Sequence, residues 1–265
     1  MIFAKAKFPI LVLLLSLWLT SSATVLGKAT TTQWIINQKE EDFGDTIVYV
    51  WHDGARLVCK KFGCEIACRA PDWKVHCYNV AEKTEWIGEL SQFSGVIMAN
   101  PFALPSPHRI SHLREIGVGE FNGLKYTKYR TPFSAKDLVL AASEIAVAEQ
   151  VGEFLARLYV VPNSHSVPLF RDCDRGRDRQ LEHYKFGAVR SGSANDLRGG
   201  ILHKLVTKSW RKTTYNAADF ELPKGFERKK DIVQVTYSAN RKEELGSFLN
   251  ELGFKILNVI TWEKT

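Results

Sequence analysis

Residues 45–93 constrain the fold more than any other part of the chain, because short alternating segments follow one another there with turn residues between them. Thr46 to Trp51 alternates and ends at Asp53-Gly54, a hairpin signal in which Gly accepts the positive φ of a tight turn. Arg56 to Lys60 follows and turns at Phe62-Gly63. Cys64 to Arg69 then runs into Ala70-Pro71-Asp72, where Pro fixes φ and ends a ladder. Lys74 to Val80 and Thr84 to Leu90 complete an antiparallel meander. Side chains of a strand point alternately to opposite faces. Parity therefore places Leu57, Cys59, Cys64, Ile66, Cys68, Val75 and Cys77 on one face, and Arg56, Lys60, Glu65, Arg69, Lys74 and His76 on the other. One face is apolar and the other wet, the pattern of a sheet folded over an apolar interior.

The 265 residues open on a short basic stretch with Lys5 and Lys7, then an apolar run, Ile10–Leu19, then Ser21-Ser22-Ala23. This order reads as a signal peptide cleaved near Ala23. The apolar run falls short of the roughly 20 residues that span a bilayer, which leaves an uncleaved anchor as the alternative. Residues 1–23 are thus expected to be a leader, and 24–265 a single exported domain, periplasmic or otherwise associated with the cell envelope. Losing Lys5 and Lys7 takes the formal charge from +7 to +5. Basic residues within 171–190 are interrupted by Asp172, Asp174, Asp178 and Glu182, too dilute a stripe for a nucleic-acid groove. Peripheral attraction to anionic head groups stays open.

Beyond the meander, the three prolines between Pro101 and Pro107 mark a loop, and Asn122-Gly123 marks a hairpin before the alternating Leu124–Tyr129. Ser134 to Leu158 reads as one long helix. Ser134 with Asp137 resembles a capping box, and Leu138, Ala141, Ile145, Ala148, Val151, Leu155 and Leu158 recur at spacings of three and four. Gly152 is a place for that helix to bend. Residues 163–200 look irregular. Strands are expected at Ile201–Arg211, Ile232–Tyr237 and Phe254–Trp262, and a helix at Ala239–Leu252 capped by Gly253.

Five cysteines in an exported chain invite disulfides. Cys59 and Cys64 flank one hairpin loop and Cys68 and Cys77 another, so two staples with Cys173 left over is the first reading. Buried thiols packing as small hydrophobes is the second. A four-thiolate zinc site is the third, though its spacing matches no usual knuckle pair. The seven histidines are scattered, and the His108/His112 spacing falls beside Pro107 in a loop. No metal site or cofactor is expected. There is no G-x-S-x-G elbow or phosphate loop, and Cys173 sits between two aspartates that disfavour its thiolate. Trp34, Trp51, Trp86, Trp210 and Trp262 fall on predicted strands, as core or as the wall of an acyl-binding cavity.

Several phrases occur in the order found in a known family: Asp53-Gly54-Ala55-Arg56-Leu57, then Asp72-Trp73-Lys74-Val75, Gly123 through Tyr129, Val167-Pro168-Leu169, and Phe220-Glu221-Leu222-Pro223-Lys224-Gly225-Phe226. Between residues 31 and 237 the chain resembles the LolA-like exported half-barrels, which include periplasmic carriers of outer-membrane lipoproteins. The resemblance implies an α+β, mainly β fold: a strongly curved, open antiparallel sheet of roughly ten strands. A long helix and short helices would cover its concave face, here with an insertion around 133–200. It also implies a non-catalytic carrier holding a lipid, a lipoprotein acyl chain or another apolar ligand, and working as a monomer. Leu57, Ile66 and Val75 from the sheet and Leu138, Ile145 and Val151 from the helix would line the cavity, with Arg56 a candidate for the carrier's lid-closing arginine. A secreted hydrolase with a dispersed site, or a structural or sensor module of the envelope, are the alternatives.

Overall fold

The structure is a computed structural model that describes residues 31–95, 98, 113–131, 137–174 and 201–237, all within the unit Thr31–Thr265. The expected leader, the Pro101–Arg109 loop, the Ser134 cap, His183 and everything expected after Tyr237 lie outside the described residues. The strands are β1 (Thr32–Glu40), β2 (Gly44–Trp51), β3 (Gly54–Cys59), β4 (Cys64–Arg69), β5 (Lys74–Asn79), β6 (Thr84–Glu89), β7 (Arg114–Phe121), β8 (Leu124–Arg130), β9 (Leu138–Ala142), β10 (Pro168–Asp174), β11 (Ile201–Thr214) and β12 (Glu227–Arg228). They form one open sheet in the order β12-β6-β5-β4-β3-β2-β1-β11-β10-β9-β8-β7. Two meanders therefore run outward from a seam where β1 pairs with β11 across most of the chain. Every ladder is antiparallel except the two-residue pairing of β12 with β6, which covers that edge.

The fold is mainly β, and among the described residues it has two helices, α1 (Glu149–Leu158) and the single-turn α2 (Val233–Thr236). The meander of β2 to β6 stands where alternation placed it, and its apolar positions belong to the main buried cluster. Gly54 serves a purpose other than the expected one. The loop is His52-Asp53, Gly54 pairs with Trp51 as the first residue of β3, and its φ is not positive. A Cβ there would lie 2.4 Å from the Trp51 ring and 2.8 Å from Arg69 Cβ, so only Gly lets the indole lie across the strand.

The long helix expected over 134–158 is two elements. Leu138–Ala142 is β9, held between β8 and β10, and the helix begins only at Glu149. A short strand buried on both faces reads as an unbroken aliphatic run, and Leu-Val-Leu-Ala-Ala satisfies a three-to-four spacing as well as a strand. Pro168–Asp174, within the stretch expected to be irregular, is β10. Ile232–Tyr237, read as strand, contains α2 instead: Asp231 Oδ1 accepts Val233 N at 2.9 Å, and the turn buries Val235.

Candidate functional site

The face called inner here carries the main cluster. Leu57 stands opposite Ile66, Ile66 opposite Cys77, and Val75 opposite Cys68, so the three sheet residues expected to line a cavity form one contiguous patch. All three are fully buried. Val151, Phe154, Leu155 and Leu158 of helix α1 belong to the same buried cluster as this patch, and so do Phe93, Met98 and Val235. Phe93 and Phe154 stack with ring centres 5.8 Å apart. The polar side of α1 is marked by Arg157, which donates to Glu153 at 2.7 Å.

Helix α1 is tied at both ends. At its start Ala148 N donates to His52 O at 2.8 Å, with no side-chain cap. The helix runs unbroken through Gly152. A Cβ there would lie 2.8 Å from the His165 carbonyl carbon, so this Gly lets a neighbouring loop pack against the helix. Just beyond its end, the Tyr159 hydroxyl donates to Gln38 Oε1 at 2.7 Å. Ile145 and Val151 belong to the buried cluster, Ile145 from the β9–α1 connection rather than from a helix. Leu138 does not. It is half-buried at the start of β9, between Arg130 of β8 and Asp172 of β10.

The cysteine staples need correcting. Cys59 is directly opposite Cys64, but Cys68 faces Val75 and Cys77 faces Ile66, so Cys68 and Cys77 are diagonal neighbours. Diagonal positions are roughly 7–8 Å apart, beyond disulfide reach. The structure holds Cys59 and Cys68 as thiols, donating to Phe43 O at 3.6 Å and to Trp73 O at 3.5 Å. Burial pushes each thiol up to about 12. Cys59 and Cys68 thus pack as small hydrophobes that each make a weak polar contact.

Two buried polar side chains next to α1 went unread in the sequence. Gln38 donates through Nε2 to Pro168 O at 2.8 Å and to Thr207 Oγ1 at 3.0 Å, which joins β1, β10, β11 and the end of α1. Glu40 accepts from Asp42 N and Phe43 N, both at 2.7 Å. Burial, reinforced by the nearby Asp42 charge, raises its carboxyl to about 7. The signal was present: the inward positions of β1 read Trp34, Ile36, Gln38, Glu40, and the last two are polar where the alternation asks for apolar.

The outer face holds Arg56, whose Nε donates to Glu65 Oε2 at 2.5 Å and whose Nη1 donates to Asp219 O at 2.8 Å. It lies over the Tyr49 and Phe220 rings, so it faces away from α1 and closes no lid there. Phe220 belongs to an aromatic cluster with Trp51 and Tyr215 that seats the β11–β12 connection on the sheet. Among the described residues no group of three or more His, Cys, Asp or Glu is placed to hold a metal ion, and no helix is long and apolar enough to cross a membrane. His108 and His112 lie outside them.

No protein-family model matches the sequence, and no curated protein matches it. The chain is similar to a solved structure described as an uncharacterized conserved protein from Thermus thermophilus, at 10% identity and a TM-score of 0.37, covering 74% of this chain and 89% of that one.

Proposed function

We propose that this is an exported, non-catalytic binding protein of the LolA-like half-barrel kind, whose inner face receives a lipid, a lipoprotein acyl chain or another apolar ligand. The described structure is then its closed form, in which α1 occupies the ligand's place. The observation that carries this reading is the continuous apolar inner face, whose buried cluster takes in the apolar side of one ten-residue helix. Such a helix is too short to be stable alone in water, so it stays folded only by packing on the sheet and can be displaced as a unit. An acyl chain that took its place would recover roughly 25 cal/mol per Å² of apolar surface kept from water. The protein acts as a monomer and meets the membrane only at its surface.

Mass spectrometry of solvent extracts from the purified mature chain tests this. Lipid near one equivalent per chain supports carriage. Lipid-free protein that also takes up no added acyl probe overturns it. One observation favours a second reading, a structural or sensor module with a self-filled core: Leu57, Ile66 and Val75 are at 0% exposure beneath α1. That reading predicts the second result.

A further inference from the structure

On the β7 side of the seam, register brings five strands into a row. Arg114 of β7 stands opposite Arg130 of β8, Arg130 opposite Leu138 of β9, Leu138 opposite Asp172 of β10, and Asp172 opposite His203 of β11. The neighbouring row runs Gly117, Lys128, Leu140, Phe170. Directly opposed residues share a face, and so do residues two apart on a strand. Arg114, Arg130 and Lys128 therefore border one apolar floor made by Leu138, Leu140 and Phe170. That floor adjoins the main buried cluster: Leu140 belongs to it, and Phe170 and Tyr126 pack against it.

The charge balance there is one-sided. Like charges directly opposed on adjacent strands repel, yet Arg114 and Arg130 are opposed and both exposed. Among the described residues no carboxylate pairs with either of them or with Lys128. The one acid on these rows is Asp172. It lies two strands from Arg130 and is engaged by His203 Nδ1 at 2.5 Å. Two guanidinium forks side by side suit the oxygens of a carboxylate or phosphate, with an ammonium beside them as a further point charge.

We infer that Arg114, Arg130 and Lys128 bind the anionic head of an amphiphile whose alkyl chain runs over Phe170 and Leu140 into the main buried cluster. This rests on the reading of the cluster's sheet face as an acyl-binding surface and adds the ligand's class: a carboxylate or phosphate head on an apolar chain, rather than a neutral lipid.

The test uses the full mature chain with cis-parinaric acid and its methyl ester, fluorescent probes that share one alkyl chain and differ in head charge. The acid is expected to bind about tenfold more tightly than the ester, the range for two or three exposed ion pairs. That advantage should vanish in the R114Q/R130Q variant and shrink at high salt. Displacement by dodecyl phosphate and by dodecanoate reports which head is preferred, and failure of both to displace overturns the inference. Both substituted residues are exposed, and thermal unfolding of the variant verifies its fold. Equal binding of acid and ester, or an acid preference kept in R114Q/R130Q, overturns the anionic-head assignment while leaving carriage intact. Binding of neither probe overturns carriage as well.

Discussion

Tyr159 donates its hydroxyl to Gln38 Oε1 at 2.7 Å, linking the end of α1 to the seam strand β1 across 121 residues of sequence. The same Gln38 amide donates to Pro168 O and Thr207 Oγ1, so one side chain gathers the helix, both sides of the seam and the next strand. Replacing Tyr159 with Phe leaves a buried carbonyl oxygen without its donor. The cost expected is about 1–3 kcal/mol, read from the midpoint of urea unfolding at unchanged slope. Pairing Y159F with Q38L should cost less than the sum of the two single changes, because neither partner is then stranded.

Glu40 gives the protein a pH dependence of definite sign. Its carboxyl titrates at about 7 in the folded state against an ordinary value of 4.5, because burial penalises the anion. Between those values the folded chain holds a proton that the unfolded chain has released. Stability attributable to this residue is therefore full below about pH 4.5 and falls as pH rises toward 7, by about 3 kcal/mol in all. Denaturant unfolding across that window should show the decline in the native chain and a flatter profile in E40Q.

The split of 134–158 into β9 and α1 predicts unequal costs along what reads as one stripe. Phe154 is fully buried on α1, and F154A should cost about 3–5 kcal/mol. Ile145 is also buried, and I145D places an unpaired charge in the cluster, a change of several kcal/mol. Leu138 is half-buried on β9, and L138A should cost about 1 kcal/mol. A single amphipathic helix would instead make Leu138 and Ile145 alike. Thermal unfolding of the three variants separates the two arrangements.

Non-reducing peptide mapping of the mature chain should find no bridge between Cys68 and Cys77, since the register sets them diagonally. Cys59 and Cys64 are the one hairpin pair whose register permits a bond. Recovery of a Cys68–Cys77 bridge would mean that β4 and β5 pair in another register.

The first meander was legible because its hairpins are local: adjacent strands joined by short turns fix their own register, and parity then sorts Leu57, Ile66 and Val75 from Arg56 and Glu65. The β1–β11 seam was not legible, because no local sequence rule tells Ile36 that its partner is Trp210. Nor was β9, whose aliphatic run is silent about its secondary structure when both faces are buried. Arg114 and Arg130 face each other across the local Asn122-Gly123 hairpin, but a bulge between Glu115 and Gly117 shifts the register on β7, and the apolar floor beside them depends on the pairing of β8 with β9 and of β9 with β10. Gln38 and Glu40 were legible in principle as polar residues at inward positions of β1. Their meaning lay in Tyr159 and in the β1–β2 turn, which the strand itself does not announce.

Hydrogen exchange of the Glu149–Leu158 amides, with and without saturating cis-parinaric acid, tests most directly whether an acyl chain takes the place of α1. Faster exchange through α1 is expected when the probe is bound, with the amides of β3, β4 and β5 still protected. Unchanged or slower exchange in α1 would contradict it and leave the inner face as a core that no ligand enters.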